Sequence, residues 1–178
     1  MPKTLKEMQA EVTAYCEEKG WRESPCPLGQ AMALLHEEAA EAGHAWRDWG
    51  LEDVTERLGV GLNPKPQGVG SEFADVLIRL LDDADLFGWD LEECLEPDEE
   101  IFVLDDEFLV NINTLHGLIA RVTMAQEASY ESPSSAFAGI LSFLRQLCKL
   151  YGIDLMAEYE RKMAYNRTRD YRHGGRRA

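Results

Sequence analysis

Five carboxylates stand at spacings that could do chemistry. Glu37, Glu38 and Glu41 fall in the run EEAAE, and Glu72 and Asp75 fall in EFAD. Residues three apart on a helix share a face, so Glu38 pairs with Glu41 and Glu72 pairs with Asp75. If the two helices pack antiparallel, four carboxylates converge. Such a group repels itself unless a cation lies between its members. Oxygen-only ligands at helical spacing suit a hard ion such as Mg²⁺, with Mn²⁺ as a substitute, completed by waters and phosphate oxygens.

The bland alternative is that these acids only keep helices soluble. Glu72 and Asp75 continue through Arg79, Asp82 and Asp83, a stripe that could face water. Glu38 and Glu41 instead share a stripe with Ala31, Leu34 and Ala45, among apolar neighbours.

The elements that must position these acids read as helices, because apolar residues recur at three and four. A first helix is expected over 4–19, stopped by Gly20. A second, over 28–49, carries Leu28, Met32, Leu35, Ala39, Ala42, Trp46 and Trp49 in alternating steps of four and three, and stops at Gly50. Breakers at Asn63-Pro64, Lys65-Pro66 and Gly68-Val69-Gly70 make 51–70 a loop. Ser71 reads as the N-cap of a third helix over 72–87, ended by Gly88. A fourth is expected over 113–130. A fifth opens at Ser134 or Ser135 and stops at Gly152, and a sixth spans about 154–169. Residues 95–110 are ambiguous, acidic and then β-branched. The fold class is all-α, in one domain covering 1–178.

The chain also resembles itself. A shift of 64 aligns SEFADVLIRLLDDADLFGWDL with SAFAGILSFLRQLCKLYGIDL, and a looser shift of 80 aligns Leu35-His36 with Leu115-His116. This points to a duplicated helix–loop–helix unit, repeat 1 at about 28–91 and repeat 2 at about 113–155, followed by a basic segment at 156–178. The second copy has lost the acids. Glu37, Glu38 and Glu41 align with Gly117, Leu118 and Arg121, and Glu72 and Asp75 align with Ala136 and Gly139. Losing all of them together fits one live metal site and one degenerate half.

Charge narrows the partners. The net charge of −15 argues against nucleic acid and anionic membrane as broad-surface partners. Residues 161–178 nonetheless hold seven of the eighteen basic residues against one acid, Asp170. That tail either pairs with the acidic body or binds phosphate. Four scattered cysteines without a C-x-x-C pair, no long apolar run and no apolar leader lead to an expectation of a cytoplasmic protein. Trp21, Trp46 and Trp49 suit core packing better than base stacking. His36 and His44 read as structural, since Glu41-x-x-His44 has no second copy to build a di-iron site.

The pattern E-E-x-x-E … E-x-x-D resembles the all-α NTP pyrophosphohydrolases of the MazG-like type, a superfamily that includes dimeric dUTPases and phosphoribosyl-ATP pyrophosphohydrolase. The resemblance extends to Lys65-Pro66-x-Gly68 before SEFADVLIRLLDDA, and to Lys162-x-x-x-Asn166-x-x-Arg169 followed by Tyr171-Arg172-His173-Gly174-Gly175. It implies an all-α NTP pyrophosphatase bundle in which Glu38, Glu41, Glu72 and Asp75 hold Mg²⁺ and Glu37 orients or activates water. It further implies that Lys65, Lys162 and Arg169 contact triphosphate oxygens and that Asn166 donates to phosphate or sugar. The implied reaction converts a nucleoside triphosphate and water to the monophosphate and pyrophosphate, as removal of unwanted nucleotides. A narrow relative (dUTPase, dCTPase or phosphoribosyl-ATP hydrolase) and a non-catalytic helical nucleotide-binding or interaction module are the competing readings. A homodimer is expected, or a pseudo-dimer within one chain.

Overall fold

The computed structural model describes residues 3–58, 64–94, 102–128 and 132–175. Every regular element among them is a helix: α1 (Leu5–Glu18), α2 (Leu28–Trp49), α3 (Thr55–Leu58), α4 (Val69–Phe87), α5 (Leu91–Cys94), α6 (Phe108–Ala128), α7 (Pro133–Tyr151), α8 (Leu155–Arg167) and α9 (Arg172–Gly175). Asn63 of the breaker segment, the stretch 95–101, Tyr130, Arg176 and Arg177 lie outside the described residues. No helix among the described residues is long and apolar enough to cross a membrane.

Local chemistry explains the helix ends. Thr4 and Glu7 form a capping box on α1: the Glu7 N–H donates to Thr4 Oγ1 at 3.2 Å, and the Thr4 N–H donates to Glu7 Oε2 at 2.8 Å. The α2 stripe buries Leu28, Met32, Leu35, Ala39 and Ala42, and Trp46 and Trp49 pack half-buried against the core. Each large apolar side chain so buried stabilises the fold by about 1.5–3 kcal/mol.

Three helices begin earlier than their sequence suggests, among them α7, which opens at Pro133 with Ser132 as its N-cap rather than at Ser134 or Ser135. α4 starts at Val69 with Gly68 as its N-cap, so Ser71 lies inside the first turn. Gly68 has φ 108, and a Cβ there would come within 2.9 Å of the Glu52 carbonyl oxygen, so both conformation and space require glycine. Ser71 Oγ is engaged elsewhere, donating to the Pro66 carbonyl at 2.9 Å. α6 starts at Phe108, whose ring stacks on Trp46 at 5.3 Å and lies 6.2 Å from Phe73. The expected loop over 51–70 contains the short helix α3, tied to 67 by a pair of bonds between Thr55 and Gln67.

α4 sits at the centre and packs against α1, α2, α7 and α8, while α6 packs against α2 and α7. α4 and α7 are both 19 residues long, and each ends on a left-handed glycine (Gly88 φ 68, Gly152 φ 66). The next N–H then bonds back at 2.8 Å, Trp89 to Ala84 and Ile153 to Cys148. α2 and α6 begin 80 positions apart. Where they meet, His36 Nδ1 and His116 Nδ1 share a 2.8 Å hydrogen bond across stacked rings.

Candidate metal centre

α2 and α4 bring three of the five singled-out acids together. Oxygens of Glu38, Glu72 and Asp75 all lie within 4.8 Å of one another. The antiparallel order is visible in the pairing: Glu41 acts on Glu72, while Glu38 lies beside Asp75 and Arg79. Glu72 is only 7 % exposed, and Glu38 and Asp75 are half-buried. Glu41 is exposed at the edge of the trio, close enough to raise both Glu38 and Glu72. Glu37 is exposed and outside the trio.

The electrostatics are those of carboxylates short of positive charge. Burial, opposed by Lys162 and reinforced by Asp75, pushes the Glu72 acid up to about 7. Burial and Asp75 also raise Glu38, against the pull of Arg79. Glu72 Oε2 is buried with no hydrogen-bond partner among the described residues. A carboxylate oxygen in that condition is destabilising unless something positive meets it. An all-oxygen set with one orphaned oxygen fits a hard divalent cation such as Mg²⁺ or Mn²⁺ better than a thiophilic one.

Two protein cations already touch the trio. Lys162 Nζ lies 2.5 Å from Asp75 Oδ2 and donates to Ser71 Oγ at 2.8 Å. Lys162 is 1 % exposed, and burial alone would lower its ammonium, but Asp75 and Glu72 outweigh that and hold it above the ordinary value. Its side chain is therefore directed at Asp75 from within the core. Arg79 Nε–H donates to Glu38 Oε1 at 3.2 Å. Neither Ser71, which reads as a cap, nor Arg79, on a stripe that could equally face water, is legible in the sequence as part of the site.

The other expected phosphate contacts surround this core. Lys65 is exposed and acts on Glu72. Asn166, one turn beyond Lys162 on α8, is buried with Oδ1 unpartnered among the described residues. Arg169 is half-buried and faces Tyr15, whose phenol burial pushes up to about 12 and which also feels Asp75. Nothing in the spacing of α1 pointed to Tyr15. Trp21 donates to that phenol, a packing role. The segment carrying Arg169 is pinned to the α1–α2 turn: the Arg172 N–H donates to Lys19 O at 3.0 Å, its guanidinium meets Glu23 at 2.8 Å, and Arg172 adopts φ 45.

One turn past Arg79, Asp83 is 4 % exposed, and burial together with Asp82 pushes its acid to about 7. Its Oδ2 has no hydrogen-bond partner among the described residues. Asp82 and Asp85 have their own counter-ion, Arg22, at 2.5 and 2.6 Å. Compared with protein-family models, curated proteins and solved structures, the chain matches none, so the site's own chemistry carries the assignment.

Proposed function

We propose that this protein is a Mg²⁺-dependent nucleoside triphosphate pyrophosphohydrolase, converting an NTP and water to the monophosphate and pyrophosphate. The observation that carries this reading is the convergence of Glu38, Glu72 and Asp75 within 4.8 Å, with an orphaned buried oxygen on Glu72. Held there, a divalent cation supplies charge neutralisation to phosphate oxygens and lowers the pKa of water. The rest falls to the chain. Glu38, Glu72 and Asp75 hold the ion, and Glu41 closes the set from the solvent edge. One of the acids accepts the proton of the attacking water as general base. The water oxygen bonds to one of the two phosphorus atoms flanking the α–β bridge as that atom's bond to the bridging oxygen breaks, and the bridging oxygen leaves with the departing group. Lys65 and Arg169 meet triphosphate oxygens from the open side. Lys162 holds Asp75 in place through their 2.5 Å ion pair, and Asn166 offers its amide to phosphate or sugar.

The equal lengths and matching ends of α4 and α7, and the His36–His116 contact between α2 and α6, support an internal duplication with a degenerate second half. The chain would then carry a pseudo-dimer within itself.

The test incubates the purified protein with each common and damaged (d)NTP, with and without Mg²⁺, and measures pyrophosphate against phosphate. Metal-dependent pyrophosphate release that Glu38→Gln and Glu72→Gln each abolish is the expected result. No release from any nucleotide would overturn the reading.

A further inference from the structure

Arg79 and a divalent cation compete for the same carboxylate. The guanidinium bonds Glu38 at 3.2 Å, and a guanidinium does not shed its proton to make way for a second positive charge. An ion that takes Glu38 Oε1, the oxygen the guanidinium holds, leaves Arg79 to find another anion or leave the groove.

The fold provides that anion one helical turn away. Asp83 stands at i+4 from Arg79, on the same face of α4, where side chains neighbour one another. It is 4 % exposed and its Oδ2 is unpartnered among the described residues. Arg22, the other cation that acts on Asp83, is already bound to Asp82 and Asp85, which leaves Arg79 as the cation able to turn to it. Arg79 and Asp83 already influence each other's charge without forming a bonded pair. Room to move also differs between the two cations of the site. The Lys162 side chain is 2 % exposed and fixed by both Asp75 and Ser71, whereas the Arg79 side chain is 35 % exposed and held by one bond.

We propose that Arg79 is a two-position cation, which occupies Glu38 until a divalent ion takes that carboxylate and then turns onto Asp83. This rests on the metal-centre reading above. Arg79 is thus a positioning residue that sets metal affinity. Asp83, some 12 Å along α4 from Asp75 at about 1.5 Å per residue, acts on the metal without touching it.

The experiment reads Mn²⁺ affinity of the full chain without nucleotide, by paramagnetic resonance of the free ion, for wild type, Arg79→Gln, Asp83→Asn, the double variant and Glu38→Gln. Arg79→Gln removes the competitor and is expected to tighten Mn²⁺ binding about fivefold or more. Asp83→Asn removes the alternative seat and weakens binding by a similar factor. The double variant matches Arg79→Gln alone, because Asp83 has no effect without the guanidinium. Arg79→Met keeps the stem without the charge and replaces Arg79→Gln should that variant not fold. Weaker binding on removal of Arg79, or an Asp83→Asn effect that persists without Arg79, would overturn the switch while leaving the metal centre standing. Absence of Mn²⁺ binding in wild type, or binding that Glu38→Gln leaves unchanged, would remove the metal centre itself and the switch with it.

Discussion

The α2–α4 pair and the α6–α7 pair are packed helix pairs of similar length, filled differently. At the positions aligned with Glu38 and Glu72, the second pair buries Leu118 and Ala136. At the position aligned with Asp75 stands Gly139, where a Cβ would meet the Phe102 ring at 3.9 Å. Phe102 in turn packs edge-on against Phe143, with ring centroids 5.2 Å apart. One pair therefore closes its groove with apolar side chains, and the other leaves partly desolvated acids facing one another. The helices form in both cases, so the acids are not what folds the frame. They oppose folding, and that is the physical argument for a use.

The comparison breaks most readily at the chemistry. Glu38→Gln and Glu72→Gln are each expected to lower metal-dependent pyrophosphate release by about two to three orders of magnitude, read as kcat/KM. Full activity in either variant would make the two pairs equivalent.

Putting an acid into the apolar pair gives the next largest effect. Ala136→Glu buries a carboxylate in an apolar position and is expected to destabilise the protein by about 3 kcal/mol in denaturant melts, without adding a second Mn²⁺ site.

A pH dependence follows from the live pair alone. Burial raises Glu72 and Asp83 from ordinary carboxylate values to about 7. The folded state then binds more protons than the unfolded chain between about pH 4 and 7, and stability falls as pH rises through that window. Without metal, Glu72→Gln is expected to flatten the slope and to exceed wild type by about 2 kcal/mol at pH 8. Added Mg²⁺ restores the wild type by binding its folded form. A wild-type melting temperature that climbs from pH 5 to 8 without metal would contradict this.

The smallest effect lies on the seam between the pairs. His36→Ala leaves His116 without its 2.8 Å bond and is expected to destabilise by about 1 kcal/mol in the same melts, with metal affinity unchanged.

Sequence showed these features unevenly, for physical reasons. α2 was legible to the residue because its alternating stripe and terminal glycine are local signals. The start of α4 was not, since Ser71 looks like a cap while its hydroxyl is committed to Pro66 and Lys162, the latter 91 positions away. α6 begins before the expected 113 because Phe108 is buried by rings from α2 and α4. Its neighbour Asn111 is tied to Asp105 and Tyr151. In the site, spacing pairs Glu38 with Glu41 and Glu72 with Asp75; of these Glu38, Glu72 and Asp75 converge, while Glu41, like Glu37, faces solvent. Arg79 and Asp83 were hidden because a charged stripe reads the same whether it meets water or a neighbouring helix.

α4 supplies two of the three converging carboxylates and touches α1, α2, α7 and α8. Amide exchange should therefore be slowest along its middle turns, where opening requires the surrounding helices to separate together. The geometry that brings the three carboxylates together thus belongs to the most slowly opening unit of the molecule. On the proposed reading, accommodating nucleotides of different size would fall to the thinner surroundings, the 52–58 connection and the segment pinned by Arg172, whose backbone amides should exchange earlier.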